Sequence, residues 1–302
     1  MTELWIPLTI AGAFFQNLRS ALQKHLKSRL STAGASYVRF FYAWPFAILY
    51  CWGLAAFGGF AWPEPTPRFL LYCFLGAASQ IVFTVLLVWL FSFRNFAVGT
   101  TYSKTETAQV AILGLLILGD TLSAVAVVAI AVSLVGVFAL SVVDARITAK
   151  SLLTGLAEKP TLIGLACGAF LGASVVFFRG ASLALGDQSF VMRAAFTLTV
   201  AVVVQTALMG AYLLVREPGQ MTAVIRNWRP ALSVGVAGML ASVAWFSAFT
   251  LQNAAYVRAL GQIELVFTFV ASTVFFREKT KPVEVAGILL IVGGILILVM
   301  GR

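Results

Sequence analysis

Apolar runs of about 20 residues recur along the chain, the length a helix needs to cross a hydrocarbon core. Ten can be drawn, at about 4–22, 35–57, 69–91, 96–118, 122–143, 161–183, 190–215, 231–251, 255–276 and 283–300. Short polar or proline-bearing stretches separate them. The second half of the first run is unusually polar (Gln16, Asn17, Arg19, Ser20), and Lys24-His25-Leu26-Lys27-Ser28-Arg29 closes it. Pro45 predicts a kink in the second run. Trp62-Pro63-Glu64-Pro65-Thr66-Pro67 reads as a stiff loop, and Gly119-Asp120 as a tight turn. Residues 216–229 read as a loop, and Pro230 sits where a first helical turn accepts proline. Pro282 follows Arg277-Glu278-Lys279-Thr280-Lys281 into the last run.

The pattern occurs twice. Shifted by 158 residues, Phe91-Ser92-Phe93-Arg94-Asn95 answers Phe249-Thr250-Leu251-Gln252-Asn253, Glu106 answers Glu264, Asp120 answers Glu278 and Gly136 answers Gly294. Nearer the N-terminus, Gly12-Ala13-Phe14 matches Gly168-Ala169-Phe170, and Arg39 matches Arg193 with two residues deleted between. The expected organisation is a first repeat at 1–143, a polar and basic linker at 144–159, and a second repeat at 160–302. Five spans per unit is an odd number, so the second unit must enter from the opposite face. The fold class expected is therefore an all-α integral membrane protein: ten transmembrane helices in two inverted five-helix repeats around a central cavity. Inverted repeats are a common transporter architecture, with the site near the midplane.

Composition agrees with a membrane protein and leaves no soluble domain. Hydrophobic residues are 61% of 302 and charged residues 11%, with a mean hydropathy of +0.97; soluble domains carry about 25% charged residues. The net charge of +10 does not read as a nucleic-acid footprint, because the basic residues flank apolar runs. By the positive-inside rule Arg68, Arg258 and Arg302 on the side of the termini are outnumbered by the basic residues of the other side, which puts the termini outside and the linker in the cytoplasm. Cys51, Cys73 and Cys167 lie in apolar runs at no ligand spacing and read as buried packing residues. No nucleotide loop, zinc signature or nucleophile with its base is present, so neither an enzyme nor a cofactor or metal is expected.

The chemistry sits in the fourth and ninth runs. Lys104, Glu106 and Glu264 lie inside apolar sequence, where a charge costs roughly 2.5–3.5 kcal/mol on insertion scales and needs a partner or a wet cavity. On an unbroken helix Lys104 and Glu106 would face apart, with Tyr102–Glu106–Gln109 on one stripe and Lys104 with Thr107 on another. In the ninth run Glu264 and the pair Arg258–Gln262 would likewise take separate stripes. Two readings compete for the glutamates: contact with an ammonium group or a proton, or structural pairing with arginine or hydroxyls. Lys104 has only Gln262 as its repeat counterpart, an asymmetry that a polar substrate would use; the competing reading is snorkelling or an internal salt bridge. Asn17 and Gln80 are mid-span amides that either join helices or face a cavity. Tyr102, Trp245 and Phe246 are deep aromatics that either line a cavity or fill space. The small residues Ala129, Ser133, Gly136, Gly287 and Gly294 read as packing faces of the fifth and tenth spans.

Ten spans, two repeats, the Gly119-Asp120-Thr121-Leu122-Ser123 turn and its Arg277-Glu278-Lys279-Thr280-Lys281 counterpart resemble the drug/metabolite transporter superfamily, EamA type. There the turn usually reads Gly-Glu-Arg/Lys-hydrophobic-Ser/Thr; here Asp120 replaces the acid and Arg277 the second glycine. Within that superfamily the chain is similar to aromatic amino acid exporters. The resemblance implies a cavity lined by spans one to four and six to nine, with five and ten peripheral, and a termini-in arrangement opposite to the charge bias.

The expected function is a secondary carrier in the inner or plasma membrane that exports small amphipathic metabolites, above all amino acids with aromatic or apolar side chains. Glu106, Glu264 and Lys104 would be polar anchors. The alternatives are an organic-cation or drug efflux carrier, a nucleoside or sugar-phosphate exchanger, and, from another class, a structural or lipid-scrambling protein in which both glutamates are salt-bridged. The expected partners are a small-molecule substrate and the lipid bilayer, with no nucleic acid, and a monomer as the working form with a dimer as the alternative.

Overall fold

A computed structural model of the protein describes residues 3–26, 29–90, 93, 96–144, 158–270, 273 and 281–301. The described residues form fourteen helices. In chain order they are α1 Trp5–Leu26, α2 Thr32–Phe41, α3 Trp44–Gly58, α4 Pro67–Leu90, α5 Phe96–Ser103, α6 Glu106–Leu118, α7 Ala124–Asp144, α8 Lys159–Leu183, α9 Phe190–Arg216, α10 Pro218–Arg226, α11 Trp228–Leu251, α12 Ala254–Gly261, α13 Ile263–Val270 and α14 Pro282–Met300. Residues 145–157 of the expected linker and the Arg277–Thr280 turn lie outside the described residues.

Among the described residues, seven helical segments are long and apolar enough to cross a membrane. These are the second, third, fifth, sixth, seventh, eighth and tenth expected spans. The other three have visible physical reasons for falling short. The first, α1, is diluted by its Gln16–Ser20 half. The fourth is interrupted between α5 and α6, and the ninth between α12 and α13. Leu116 is 74% and Val215 79% exposed, apolar surface that suits acyl chains and would be costly in water.

Local chemistry sets the ends. Ser31 caps α2, its Oγ accepting from the Gly34 amide at 3.0 Å, and the Asn253 Oδ1 accepts from the Ala255 amide at 2.9 Å to start α12; both satisfy amides that the first helical turn leaves open. Gly59 and Gly119 take left-handed conformations (φ 68° and 73°) that end α3 and α6. The second span breaks at Tyr42-Ala43, and Pro45 lies in the first turn of α3. The expected loop at 216–229 is instead the short helix α10. Its Pro218 opens the first turn and Val224 is buried, a stripe too short to stand out between two charged ends.

By packing, the chain divides into two compact units, Met1–Ile81 with Phe177–Gln252, and Val82–Val176 with Asn253–Arg302. Each draws on both halves of the sequence. In the first unit α1 packs along α11: a Cβ on Gly12 would stand 3.1 Å from the Trp245 ring. A second cluster joins Tyr37, Val38 and Phe40 of α2 to Met209 and Leu213 of α9 and Val224 of α10. The loop before α2 is tied to α10 as well. Ser31 Oγ donates to Glu217 at 2.5 Å, and the Ser31 amide donates to Gln220 at 2.9 Å.

In the second unit α7 and α14 pack backbone to backbone. A Cβ on Gly136 would stand 2.6 Å from the Gly287 carbonyl, and one on Gly294 would meet Ser133 and the Ala129 carbonyl. The expected packing role of these small residues is what the structure shows. Val137, Leu140, Ile288 and Ile291 form the apolar cluster beside the glycines. Cys51, Cys73 and Cys167 are free and buried.

Candidate functional site

The second unit gathers four charged side chains around two broken helices. Both breaks fall at equivalent places in the repeat. Lys104 and Thr105 separate α5 from α6, and Gln262 separates α12 from α13. Each break is a tight turn. The Lys104 amide donates to the Thr101 carbonyl at 3.1 Å and the Gln262 amide to the Ala259 carbonyl at 3.2 Å, one residue shorter than the α-helical spacing. The stripes expected from an unbroken helix therefore do not apply. The interruption leaves Lys104 within electrostatic range of Glu106. It also leaves Glu106 and Glu264 in the first turns of α6 and α13, where helix dipoles favour a carboxylate.

Glu106 is 6% exposed and meets Arg258 of α12, itself 8% exposed. Nη2 donates to Oε2 at 2.9 Å, and Nε lies 2.6 Å from Oε1. That second contact is an ion pair off the N–H direction, so Nε and Oε1 count as close charges and not as a hydrogen bond. The two-point geometry suits guanidinium and carboxylate. Glu264 is half-buried, and its charge acts on both Glu106 and Arg258. Lys104 is half-buried and forms no ion pair within 4 Å among the described residues. Beside the ion pair, Gln262 Nε2 donates to Thr107 Oγ1 at 2.9 Å, joining the second break to α6. Gln109 Nε2 donates to Thr105 Oγ1 at 2.8 Å and to the Leu165 carbonyl of α8 at 3.3 Å.

Lys104, Glu106, Gln262 and Glu264 are thus brought together, as is Arg258, which the sequence reading placed among the flanking arginines. Its signal was available: an arginine four residues before Gln262, inside an apolar run. Tyr102 is 8% exposed and packs edge-on against Phe138 of α7, centroids 6.3 Å apart. In the first unit Trp245 is 7% exposed and stacks on Phe249 at 5.6 Å, with its ring against Gly12. Phe246 packs on Phe178 at 4.9 Å within the core. Gln80 accepts from Gln205 Nε2 at 2.6 Å, joining α4 to α9. Asn17 is half-buried on α1. The geometry of Tyr102, Trp245 and Phe246 is that of packing contacts, and Gln80 joins helices.

A cavity of about 550 Å³ opens between α6 and α7, lined by Ala111, Ile112, Leu115, Val127 and Leu134, with Asp120 and Thr121 at one end. Ile112, Leu115 and Val127 are more than half exposed, so it is an apolar groove of the outer surface and separate in character from the charged cluster.

Residues 159–300 match the EamA-like transporter family. No curated protein matches the chain. A crystal structure of another protein, 13% identical, covers 99% of this chain and 98% of its own with a TM-score of 0.71; at that identity the likeness is one of fold.

Proposed function

From the membership of residues 159–300 in the EamA-like transporter family, part of the drug/metabolite transporter superfamily, we propose that the whole chain is a secondary carrier for small amphipathic metabolites, working by alternating access. The family is one of transporters and not of enzymes, and its apolar helices make this a multi-pass membrane protein. In this reading the three polar or broken segments complete a set of ten spans, arranged as two inverted repeats in the inner or plasma membrane.

The observation that supports it best is the pair of helix breaks at equivalent positions, each with a carboxylate in the next turn. Discontinuous helices with charged groups at the break are a recurrent way to hold a polar ligand inside a bilayer. The four charges divide the labour. Glu106 and Arg258 neutralise each other and fix α6 against α12, which is the structural role. Lys104, which forms no ion pair among the described residues, is the group that meets a substrate carboxylate, and Glu264 is the one that meets an ammonium. That pairing suits a zwitterion, so amino acids with apolar or aromatic side chains are the substrates proposed first, in the direction of export.

Counterflow in proteoliposomes tests it. Preloaded amino acid should accelerate entry of labelled amino acid, and Lys104→Met should abolish that exchange while leaving the protein folded. Exchange of organic cations or nucleosides alone would replace the substrate assignment. No exchange of any solute, with the purified protein intact, would end the carrier reading. Rates compared with and without a pH gradient decide proton coupling, equal rates counting against it.

A further inference from the structure

One end of the first unit is strongly basic. Arg216 closes α9, Arg226 closes α10 and Arg229 stands in the first turn of α11; all three are exposed. Arg29 belongs to the same end, because the loop before α2 is tied to α10 by the Ser31 bonds to Glu217 and Gln220, and it too is exposed. Glu217 is the one acid in the sequence around these arginines, and its carboxylate already accepts from Ser31 Oγ. Among the described residues none of the four arginines forms an ion pair.

The opposite end of the same unit is the internal control. There Glu3, Glu64 and Asp187 are exposed beside the exposed Arg68, and Thr66 Oγ1 donates to the Ala184 carbonyl at 3.4 Å, joining the loops that carry them. Arg193, half-buried at this end, donates to the Gly186 carbonyl at 3.1 Å. Each end carries a half-exposed tryptophan, Trp62 and Trp228 at 52% each, the residue type that settles at the headgroup level of a bilayer. Both ends are thus fitted to meet headgroups, and only one of them is basic.

The basic end is also held in shape. Val224 of α10 is fully buried against the cluster that includes Met209 and Leu213 of α9, and Tyr42 Oη donates to the Val224 carbonyl at 3.1 Å. That anchor leaves Thr222, Ile225 and Arg226 exposed, three and four residues apart on one helix face. Ile225 is 53% exposed, and the guanidinium carbon of Arg229 lies 5.5 Å from the centre of the Trp228 ring. Exposed apolar side chains beside exposed arginines suit an interfacial helix, whose apolar groups enter the acyl boundary while its cations meet headgroups. A charge bias that served membrane insertion alone would need no fixed geometry; here the arginines stand on packed helices and a tied loop.

We propose that this end of the first unit, through Arg29, Arg216, Arg226 and Arg229, binds the headgroups of anionic phospholipids. Guanidinium groups offer paired N–H donors that match phosphate oxygens. Each basic side chain near an anionic lipid surface strengthens the attraction about fivefold. A zwitterionic lipid brings its own cation beside the phosphate, so the face selects headgroups of net negative charge. Binding here is independent of flux and of the direction of export.

The experiment is native mass spectrometry of the purified, delipidated protein in a neutral detergent, titrated with phosphatidylglycerol or phosphatidylcholine of the same acyl chains. Phosphatidylglycerol should bind roughly 10-fold more tightly or better. Arg216→Gln, Arg226→Gln and Arg229→Gln combined should remove most of that preference, while Arg68→Gln at the opposite end keeps it. No preference in the wild type, or one that survives in the triple variant, overturns the site. Glycerophosphate competing as well as the lipid would make the ligand a soluble anion and overturns the lipid assignment. If the triple variant does not fold, labelling of the wild type with phenylglyoxal, read by peptide mass, decides. Phosphatidylglycerol should slow modification of Arg226 and Arg229 and leave Arg68 unchanged, with phosphatidylcholine inert. Equal labelling of Arg226 and Arg229 in the two lipids overturns the proposal.

Discussion

Removing Arg258 should cost the protein far more stability than removing Glu106, although the two form one ion pair. The contacts are close, 2.6 Å and 2.9 Å, and both side chains are about nine-tenths buried. Deleting one partner of a buried pair costs about 3–5 kcal/mol, because the other charge stays in a poor solvent. Arg258→Gln meets that condition fully: it leaves Glu106 and Glu264 facing each other, with Lys104 as the remaining cation of the group. Glu106→Gln does not, because Glu264 already acts on Arg258 and can take over as its counter-ion. Its cost should fall to about 1–3 kcal/mol, the value of hydrogen bonds between charged groups. The difference of about 2 kcal/mol is a factor of roughly 30 in the folding equilibrium. Unfolding in mixed micelles, for both single variants and the double variant, measures it. The double variant should be more stable than the sum of the singles implies, by about 1–3 kcal/mol. Equal costs for the two single variants would show that Glu264 does not compensate, and additive costs would show that the pair is not formed.

Three further outcomes follow from particular contacts. Gly136→Ala places a Cβ 2.6 Å from the Gly287 carbonyl, so overpacking should destabilise by about 1–3 kcal/mol; denaturant unfolding reads this, and an unchanged midpoint would mean that α7 and α14 stand further apart. Ser31→Ala removes both the cap on Gly34 and the bond to Glu217, for a loss of about 0.5–2 kcal/mol and faster hydrogen exchange in the first turn of α2. Gln262→Leu breaks the bond to Thr107 and should cost about 1 kcal/mol, whereas Thr107→Val added to it should cost little more, since no buried hydroxyl is then left unmatched.

The apolar runs located the long helices closely, because a bilayer-length stretch of Leu, Val, Ala and Phe has few other stable states. The second run was expected at 35–57 and is formed by α2 and α3 across Thr32–Gly58; the seventh was expected at 190–215 and is α9, Phe190–Arg216. Pattern failed where a helix stops with little breaker signal. Lys104-Thr105 contains no glycine or proline, Gln262 has only Gly261 before it, and the breaks are held by the shortened turns and by contacts from neighbouring helices. Those contacts are distant in sequence, such as Arg258 to Glu106 and Gln262 to Thr107. The candidate residues were readable one by one as charges in apolar sequence. Their pairing was not, because facing directions inferred from an ideal helix are lost at a break. Arg258 shows the same limit from the other side: counted as a residue of the membrane boundary, it is buried at the centre of the ion pair.

The near-contact of Gly136 with the Gly287 carbonyl has a mechanical consequence. With no side chain between the two backbones there is no slack to slide: the Gly287 carbonyl stands where a Cβ on Gly136 would go, and Leu140 Cγ lies 3.0 Å from the Cβ position of Gly287. The α7–α14 pair is therefore a rigid strut. Within the described spans, bending costs the fewest hydrogen bonds where a helical ladder is already interrupted, at Tyr42-Ala43, Lys104-Thr105 and Gln262.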